Sequence, residues 1–214
     1  MIENEKIEAL RRDYRSSELL ESNVDSDPLV QFSTWFEQAL AAEITEPNAM
    51  CLATIHNGRP DTRIVLLKGV TGKGFVFFTN YHSSKGRDIQ KDNHVSLNFV
   101  WLELERQVRI HGIAEMISTE ESDRYFYSRP LASQLGAIIS EQSGLLASRK
   151  DLEDAMVMAE KQYEKNGPVR PPHWGGYLVK PDMIEFWQGR ANRLHDRLRY
   201  DLHGNEWKLS RLYP

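Results

Sequence analysis

Cysteine is almost absent: Cys51, inside the apolar run AMCLATI, is the only one in 214 residues. That excludes a disulfide framework and a CxxC-type metal site, and a buried, inert thiol is expected. Histidine clusters are missing as well. His195 and His203 stand eight apart with no carboxylate or cysteine group beside them, so no metal is expected. Positive charge is not in excess, with 27 Lys and Arg against 31 Asp and Glu for a net −4. This balance argues against non-specific nucleic-acid binding, and any phosphate contact must come from cations grouped locally. No window of the chain approaches the ~20 apolar residues of a membrane span. The opening MIENEKIEAL lacks a basic stretch followed by an apolar one, and a cytoplasmic protein is expected. GxGxxG, P-loop, HExxH and GxSxG motifs do not occur.

What is present, 40% hydrophobic and 27% charged residues, fits an ordinary globular chain. Residues 1–22 are charged and weakly periodic, which predicts a mobile N-terminal segment; residues 23–214 read as a single domain. Asp27 as cap and Pro28 at the first helical position open an amphipathic helix through Leu29, Phe32, Trp35, Phe36 and Leu40. The period then changes. AMCLATIH and TRIVLLKGV read as strands joined by a hairpin at Asn57-Gly58, followed by GFVFFTN, a short helix over 85–91, HVSLNFVWLEL and RQVRIHGIAEMIS. Helices are predicted from Ser118 or Thr119 to Pro130 and from Ser148 to about residue 166. GGYLVKP, MIEFWQG, RLHDRLRY and EWKLSRLY return to strand. The fold class expected is α+β, built around an antiparallel sheet or small barrel.

Three clusters carry unusual charge. In NRLHDRLRY, strand alternation would put Arg193, His195 and Arg197 on one face and Leu194, Asp196 and Leu198 on the other. A solvated basic edge has the same composition. In TRIVLLKG, Arg63 and Lys68 have opposite parity and lie roughly 16 Å apart along an ideal strand, so they address different anionic groups or merely end a strand. In DRYFYSRPLASQ, Tyr125 and Arg129 are at i and i+4, and Pro130 lets Ser133 begin a new turn nearby. That trio suits a phosphate, and a capped surface helix end would look alike.

The motifs RIVLLK, FFTN, SSKGRDI, ERQVRI, YFYSRP, SQLGA, EFWQG and RLHDR, in this order and ending in SRLYP, resemble the pyridoxine/pyridoxamine 5′-phosphate oxidase family from about Leu10 to Pro214. Any one of them is weak, whereas eight in order are highly specific. The resemblance implies an FMN-binding split barrel with peripheral helices, working as a homodimer with FMN at the subunit interface. It implies oxidation of pyridoxine or pyridoxamine 5′-phosphate to pyridoxal 5′-phosphate by O2, with release of H2O2, and of NH3 from the amine. By resemblance, Arg63, Ile64, Val65, Leu66, Leu67 and Lys68 line FMN, joined by Phe78, Thr79, Ser84, Lys85, Gln107, Gln142, Ser143, Trp187 and Arg197. Lys68, Tyr125, Arg129 and Ser133 would hold the substrate phosphate, and Arg193 and His195 would act at the pyridine ring. Arg11, Arg12, Asp13 and Tyr14 match a segment that folds over bound substrate as a lid. Two positions depart from the family pattern. Ser84 stands where arginine is frequent, removing one cation from the FMN phosphate site, and Phe78 stands where tyrosine is frequent. A flavin reductase with another substrate, or a protein that only binds FMN or pyridoxal phosphate, are the alternatives.

Overall fold

The computed structural model describes residues 4–10, 13–14 and 17–214; Arg11 and Arg12 lie outside the described residues. Strands follow one another across the sheet in the order β2-β1-β5-β6-β7-β4-β3: β1 is Ala49–His56, β2 Arg59–Leu66, β3 Gly69–Thr71, β4 Gly74–Asn80, β5 His94–Trp101, β6 Arg106–Met116 and β7 Trp174–Gln188. Strand β8, Asp196–His203, pairs with β7, and β9, Glu206–Arg211, pairs with β8. The chain resolves into two compact units. The central unit comprises Asn48–Leu97 and His111–Pro181, and the terminal unit comprises Met1–Pro47, Asn98–Ile110 and Asp182–Pro214. Among the described residues no helix is long and apolar enough to cross a membrane.

In the central unit, Asn57 (φ 50°) and Gly58 (φ 77°) both adopt the left-handed conformation that a two-residue hairpin requires, and β1 and β2 pair antiparallel with Cys51 opposite Ile64. Alternation along β1 buries Met50, Leu52 and Thr54, so Cys51 falls on the opposite face and is only half-buried, not the buried thiol expected. The predicted strand TRIVLLKGV is broken. After Leu66 the Leu67 N–H donates to Asn48 O (2.8 Å), the Lys68 N–H to Val76 O (2.8 Å), and the chain then enters β3 beside β4. Arg63 and Lys68 are therefore not on one ideal strand.

Helix α1 is Asn4–Glu8, α2 Pro28–Ala41, α3 Ser84–Lys91, α4 Thr119–Ser128, α5 Leu131–Ile139 and α6 Arg149–Tyr163. Ser83 caps α3, and α4 and α6 open with reciprocal capping boxes, Ser118 with Glu121 and Ser148 with Asp151. In the terminal unit, the Asp27 side chain accepts the Leu29 N–H and Pro28 opens α2, as expected; Phe32 and Trp35 pack on Phe99 and Phe186.

Two late strands differ from the sequence reading. GGYLVKP and MIEFWQG form the single strand β7, with Pro181 between the stretch paired to β4 (174–179) and the stretch paired to β8 (183–188), where its missing N–H costs neither pairing a bond. The stretch NRLHDRLRY is strand only from Asp196. Residues Ala191–Arg193 form a tight turn with Asn192 (φ 56°) and Arg193 (φ 61°) left-handed, so the shared face of Arg193, His195 and Arg197 does not exist. Leu194 is 68% exposed rather than core-facing, whereas Leu198 is fully buried.

Candidate active site

A cleft of about 670 Å³ opens in the central unit, a size suited to a small-molecule ligand. It is lined by Ile64, Val65, Leu66 and Lys68 from the end of β2 and the switch beyond it, by Phe78 and Thr79 from β4, and by Lys85 from α3. Tyr125 and Arg129 at the end of α4, Ser133 in α5, and Gln142 complete the predicted residues that it brings together. Lys85 is 8% exposed, and its Nζ reaches Gln142 Oε1 (3.1 Å) and Thr79 Oγ1 (3.3 Å). Among the described residues no carboxylate pairs with it, and none lines the cleft. Burial, and then the neighbouring charge of Arg63, pull the Lys85 pKa below its ordinary value. Arg129 is the residue that ends α4, with extended backbone (φ −79°, ψ 152°), so the helix break and not an i,i+4 face carries it into the cleft. Its Nη2 donates to Ser133 O (2.7 Å), its guanidinium lies 4.6 Å over Trp174, and its Nη1 is buried without a partner. Tyr125 stacks on Phe78 at 3.9 Å, and Phe78 on Trp174 at 5.6 Å. Cations without a counter-charge, a guanidinium nitrogen left unsatisfied and an aromatic wall form a receptacle for an anion attached to a flat ring.

Arg63, Leu67, Ser84 and Ser143 do not line this cleft. Arg63 donates to Thr54 Oγ1 (2.7 Å) and to Asp61, and lies 3.8 Å from the buried Asp88. Burial alone would raise the Asp88 pKa, but hydrogen bonds from His56 (2.7 Å) and Thr54 (3.0 Å) hold it below the usual carboxylate value. Leu67 is buried, and Ser143 is exposed in left-handed backbone (φ 72°).

The terminal unit holds a second pocket, lined by Leu10, Asp13, Tyr14, Trp187, Arg190, Asn192, Arg193 and His195. Trp187 and His195 lie 4.7 Å apart, and Tyr14 sets its ring edge-on to both (5.8 and 5.6 Å). The Arg190 backbone N–H donates to His195 Nδ1 (3.1 Å), so the neutral ring carries its proton on Nε2. Burial, then the charge of Arg193, push the His195 pKa down. Gln107 and Arg197 do not line this pocket. Arg197 donates to the buried Glu185 (2.8 Å) and to Tyr213 O (3.0 Å), and Glu185 also pairs with Arg109 at 3.3 Å. The Glu185 hydrogen bond raises the Arg197 pKa further above its ordinary value.

Residues 36–163 match the pyridoxamine 5′-phosphate oxidase family, and residues 174–214 match the pyridoxine 5′-phosphate oxidase C-terminal dimerisation region. The chain belongs to this oxidase family. A Cyanothece protein named pyridoxine/pyridoxamine 5′-phosphate oxidase is 55% identical over 209 residues, 97% of this chain and 98% of its own. A Burkholderia ambifaria protein of the same name is also 55% identical over 209 residues, covering 96% of this chain and 97% of its own. Among solved structures, PhzG from Burkholderia lata 383, in complex with tetrahydrophenazine-1-carboxylic acid, is 30% identical with a TM-score of 0.87, covering 94% of this chain and 100% of its own. A pyridoxamine 5′-phosphate oxidase-related, FMN binding protein from Nostoc punctiforme, 18% identical, shares the fold with a TM-score of 0.70 over 86% of this chain and 97% of its own. The fold is thus the expected α+β, antiparallel split barrel with peripheral helices.

Sequence reasoning missed two residues of this oxidase-family chain. Trp174 completes the aromatic wall under Arg129 and follows the breaker PVRPPH, which hid its place at the head of β7. Arg190 lines the second pocket and sets the His195 tautomer through its backbone, for which no side-chain pattern is a signal.

Proposed function

We propose that the chain is an FMN-dependent oxidase of pyridoxine 5′-phosphate and pyridoxamine 5′-phosphate, a pyridoxal 5′-phosphate synthase. The products are pyridoxal 5′-phosphate and H2O2, with NH3 from the amine, whose reaction also consumes water. The observation that carries this reading is the central cleft, where Lys68, Lys85 and Arg129 converge with Tyr125 and Ser133 and, among the described residues, no carboxylate intervenes. A buried lysine and an orphaned guanidinium nitrogen each cost stability unless an anion satisfies them. These residues fit phosphate-bearing ligands. Lys85, Gln142 and Thr79 would hold FMN, with Arg63 and the strand-end residues Ile64, Val65 and Leu66. Lys68, Tyr125, Arg129 and Ser133 would hold the substrate phosphate. FMN, when bound, would supply the redox chemistry that couples oxidation of the substrate to dioxygen.

The protein's own residues orient and exclude. Arg193 would fix the substrate ring, and His195, neutral with its proton on Nε2, would donate a hydrogen bond to the substituent that becomes the aldehyde. Trp187 and Arg197 would contact the flavin, and Asp13 and Tyr14 would close over the substrate. The match to a dimerisation region supports a homodimer, and FMN would lie at the interface between copies.

The test is aerobic turnover. Purified protein reconstituted with FMN should be yellow and convert both phosphorylated vitamers with oxygen uptake; protein that takes up no FMN ends this reading. Binding of FMN without oxygen consumption would favour a non-catalytic carrier. Arg129→Leu should raise KM for the phosphorylated vitamers by about 10²-fold, because a charge-assisted phosphate contact of about 2–3 kcal/mol is lost. Unphosphorylated pyridoxine should be indifferent to the change. Preference for a ring carboxylate such as the tetrahydrophenazine acid seen with PhzG would instead point to a related oxidase with another substrate.

A further inference from the structure

A charged cluster in the terminal unit ties the N-terminal segment to the turn that carries His195. Arg211, the last residue of β9, donates from Nε and Nη2 to the two oxygens of Glu21 (2.7 Å each), from Nη1 to Asp196 Oδ1 (2.8 Å) and from Nη2 to the Leu19 carbonyl (2.8 Å). The other Asp196 oxygen accepts the Leu19 N–H (3.1 Å) and lies 3.6 Å from Arg190 Nε. Arg190 in turn donates to Ser17 O (3.2 Å), while its backbone N–H is the donor to His195. Residues 17–21 are thus held from both ends of the segment 190–196. Leu19 itself is 4% exposed and plugs the strap in place.

Upstream of this anchor, Tyr14 forms a wall of the pocket beside Trp187 and His195. Gly189 makes room for it: a Cβ there would stand 2.8 Å from Tyr14 Cγ and 3.0 Å from Glu105 Cβ, closer than real Cβ contacts allow. The anchor is built from a guanidinium fork on two carboxylates, partly open to water, which is directional yet reversible. Arg211's hydrogen bond holds the Glu21 carboxyl down at about 2, so Glu21 stays ionised throughout the neutral range.

We infer that Glu21, Asp196 and Arg211 are positioning residues, a latch that holds residues 17–21 so that Tyr14 closes the pocket beside His195. The catalytic part of this inference rests on the proposed oxidase reading; the closure itself does not. In the FMN-loaded full chain, Glu21→Gln should speed proteolytic cleavage of the chain N-terminal to Glu21 by roughly fivefold, the worth of one exposed, well-formed ion pair. KM for the phosphorylated vitamers should rise by a similar factor, about fivefold, while kcat and the FMN Kd stay put. Arg211→Lys, which keeps the charge but loses the fork, should behave like Glu21→Gln, and Glu21→Asp should recover part of the effect. Unchanged cleavage in Glu21→Gln overturns the latch, and faster cleavage at constant KM overturns its positioning role. Loss of FMN in step with KM would mark a general loosening and also overturn it. If the wild-type protein turns over neither vitamer, the oxidase reading fails by itself, and the cleavage rates alone decide the latch.

Discussion

Replacing Lys85 with methionine is expected to weaken FMN binding by roughly 30- to 10³-fold, about 2–4 kcal/mol for a buried charge-assisted contact, while leaving the apo protein as stable or more so. The opposite signs follow from its surroundings. Lys85 is buried, has among the described residues only the neutral acceptors Gln142, Thr79 and Ser83, and shares its neighbourhood with the charge of Arg63. An ammonium so placed destabilises the empty fold and becomes favourable once a phosphate arrives. Methionine keeps the stem's packing and removes the charge. Fluorescence titration with FMN and apo thermal melts together check this; a clear drop in apo Tm with FMN affinity intact would make Lys85 a structural residue instead. The linkage has a definite sign as well. Because the folded pKa lies below the ordinary 10.5, the folded chain binds fewer protons than the unfolded one just below that value, so apo stability rises as pH climbs toward 10.5. Lys85→Met should lack that rise.

Arg193→Ala is expected to cut turnover of both phosphorylated vitamers by about 10²- to 10³-fold, the usual cost of losing an orienting contact at the reacting centre, with FMN affinity unchanged within about twofold. The reason lies in the turn. Asn192 and Arg193 both occupy left-handed backbone, a conformation that costs about 1–2 kcal/mol for a side-chain-bearing residue. The turn lifts the Arg193 side chain out of the strand and into the pocket that holds His195 and Trp187. Steady-state kinetics beside FMN titration decide the matter, and parallel loss of both would contradict an orienting role. The pH profile adds a constraint. Burial pushes the His195 pKa below 6.5, so the neutral ring that accepts the Arg190 N–H prevails at neutral pH. Both kcat/KM and this residue's share of stability are expected to hold above pH 6.5 and to fall as pH drops from there through the lowered value.

Where local chemistry governs, the fold was legible from the residues. Asp27 with Pro28, Ser118 with Glu121, and Ser148 cap helices because their side chains reach backbone N–H groups within a few residues. Asn57-Gly58 turns a hairpin because both residues tolerate positive φ. The candidate phosphate trio was legible for a similar reason, since Pro130 forces the break that brings Tyr125, Arg129 and Ser133 to one cleft. Strand parity failed where the chain left the strand: at Leu67 and Lys68, where the backbone changes partners from Asn48 to Val76, and at Asn192 and Arg193, where it turns left-handed.

By itself, then, the sequence determined the family, the antiparallel α+β class, the helix boundaries set by caps, and the set of cations from which a phosphate site is assembled. Only the tertiary structure decided which of those cations stand without a counter-charge. Arg63 is engaged by Asp61 and Thr54, Arg197 by Glu185, and Arg211 by Glu21 and Asp196, whereas among the described residues no carboxylate pairs with Lys85 or the Arg129 Nη1. Glu21 and Arg211 lie 190 residues apart, and no local rule links them. Charge pairing is a property of distance in space, and distance in space is set by packing.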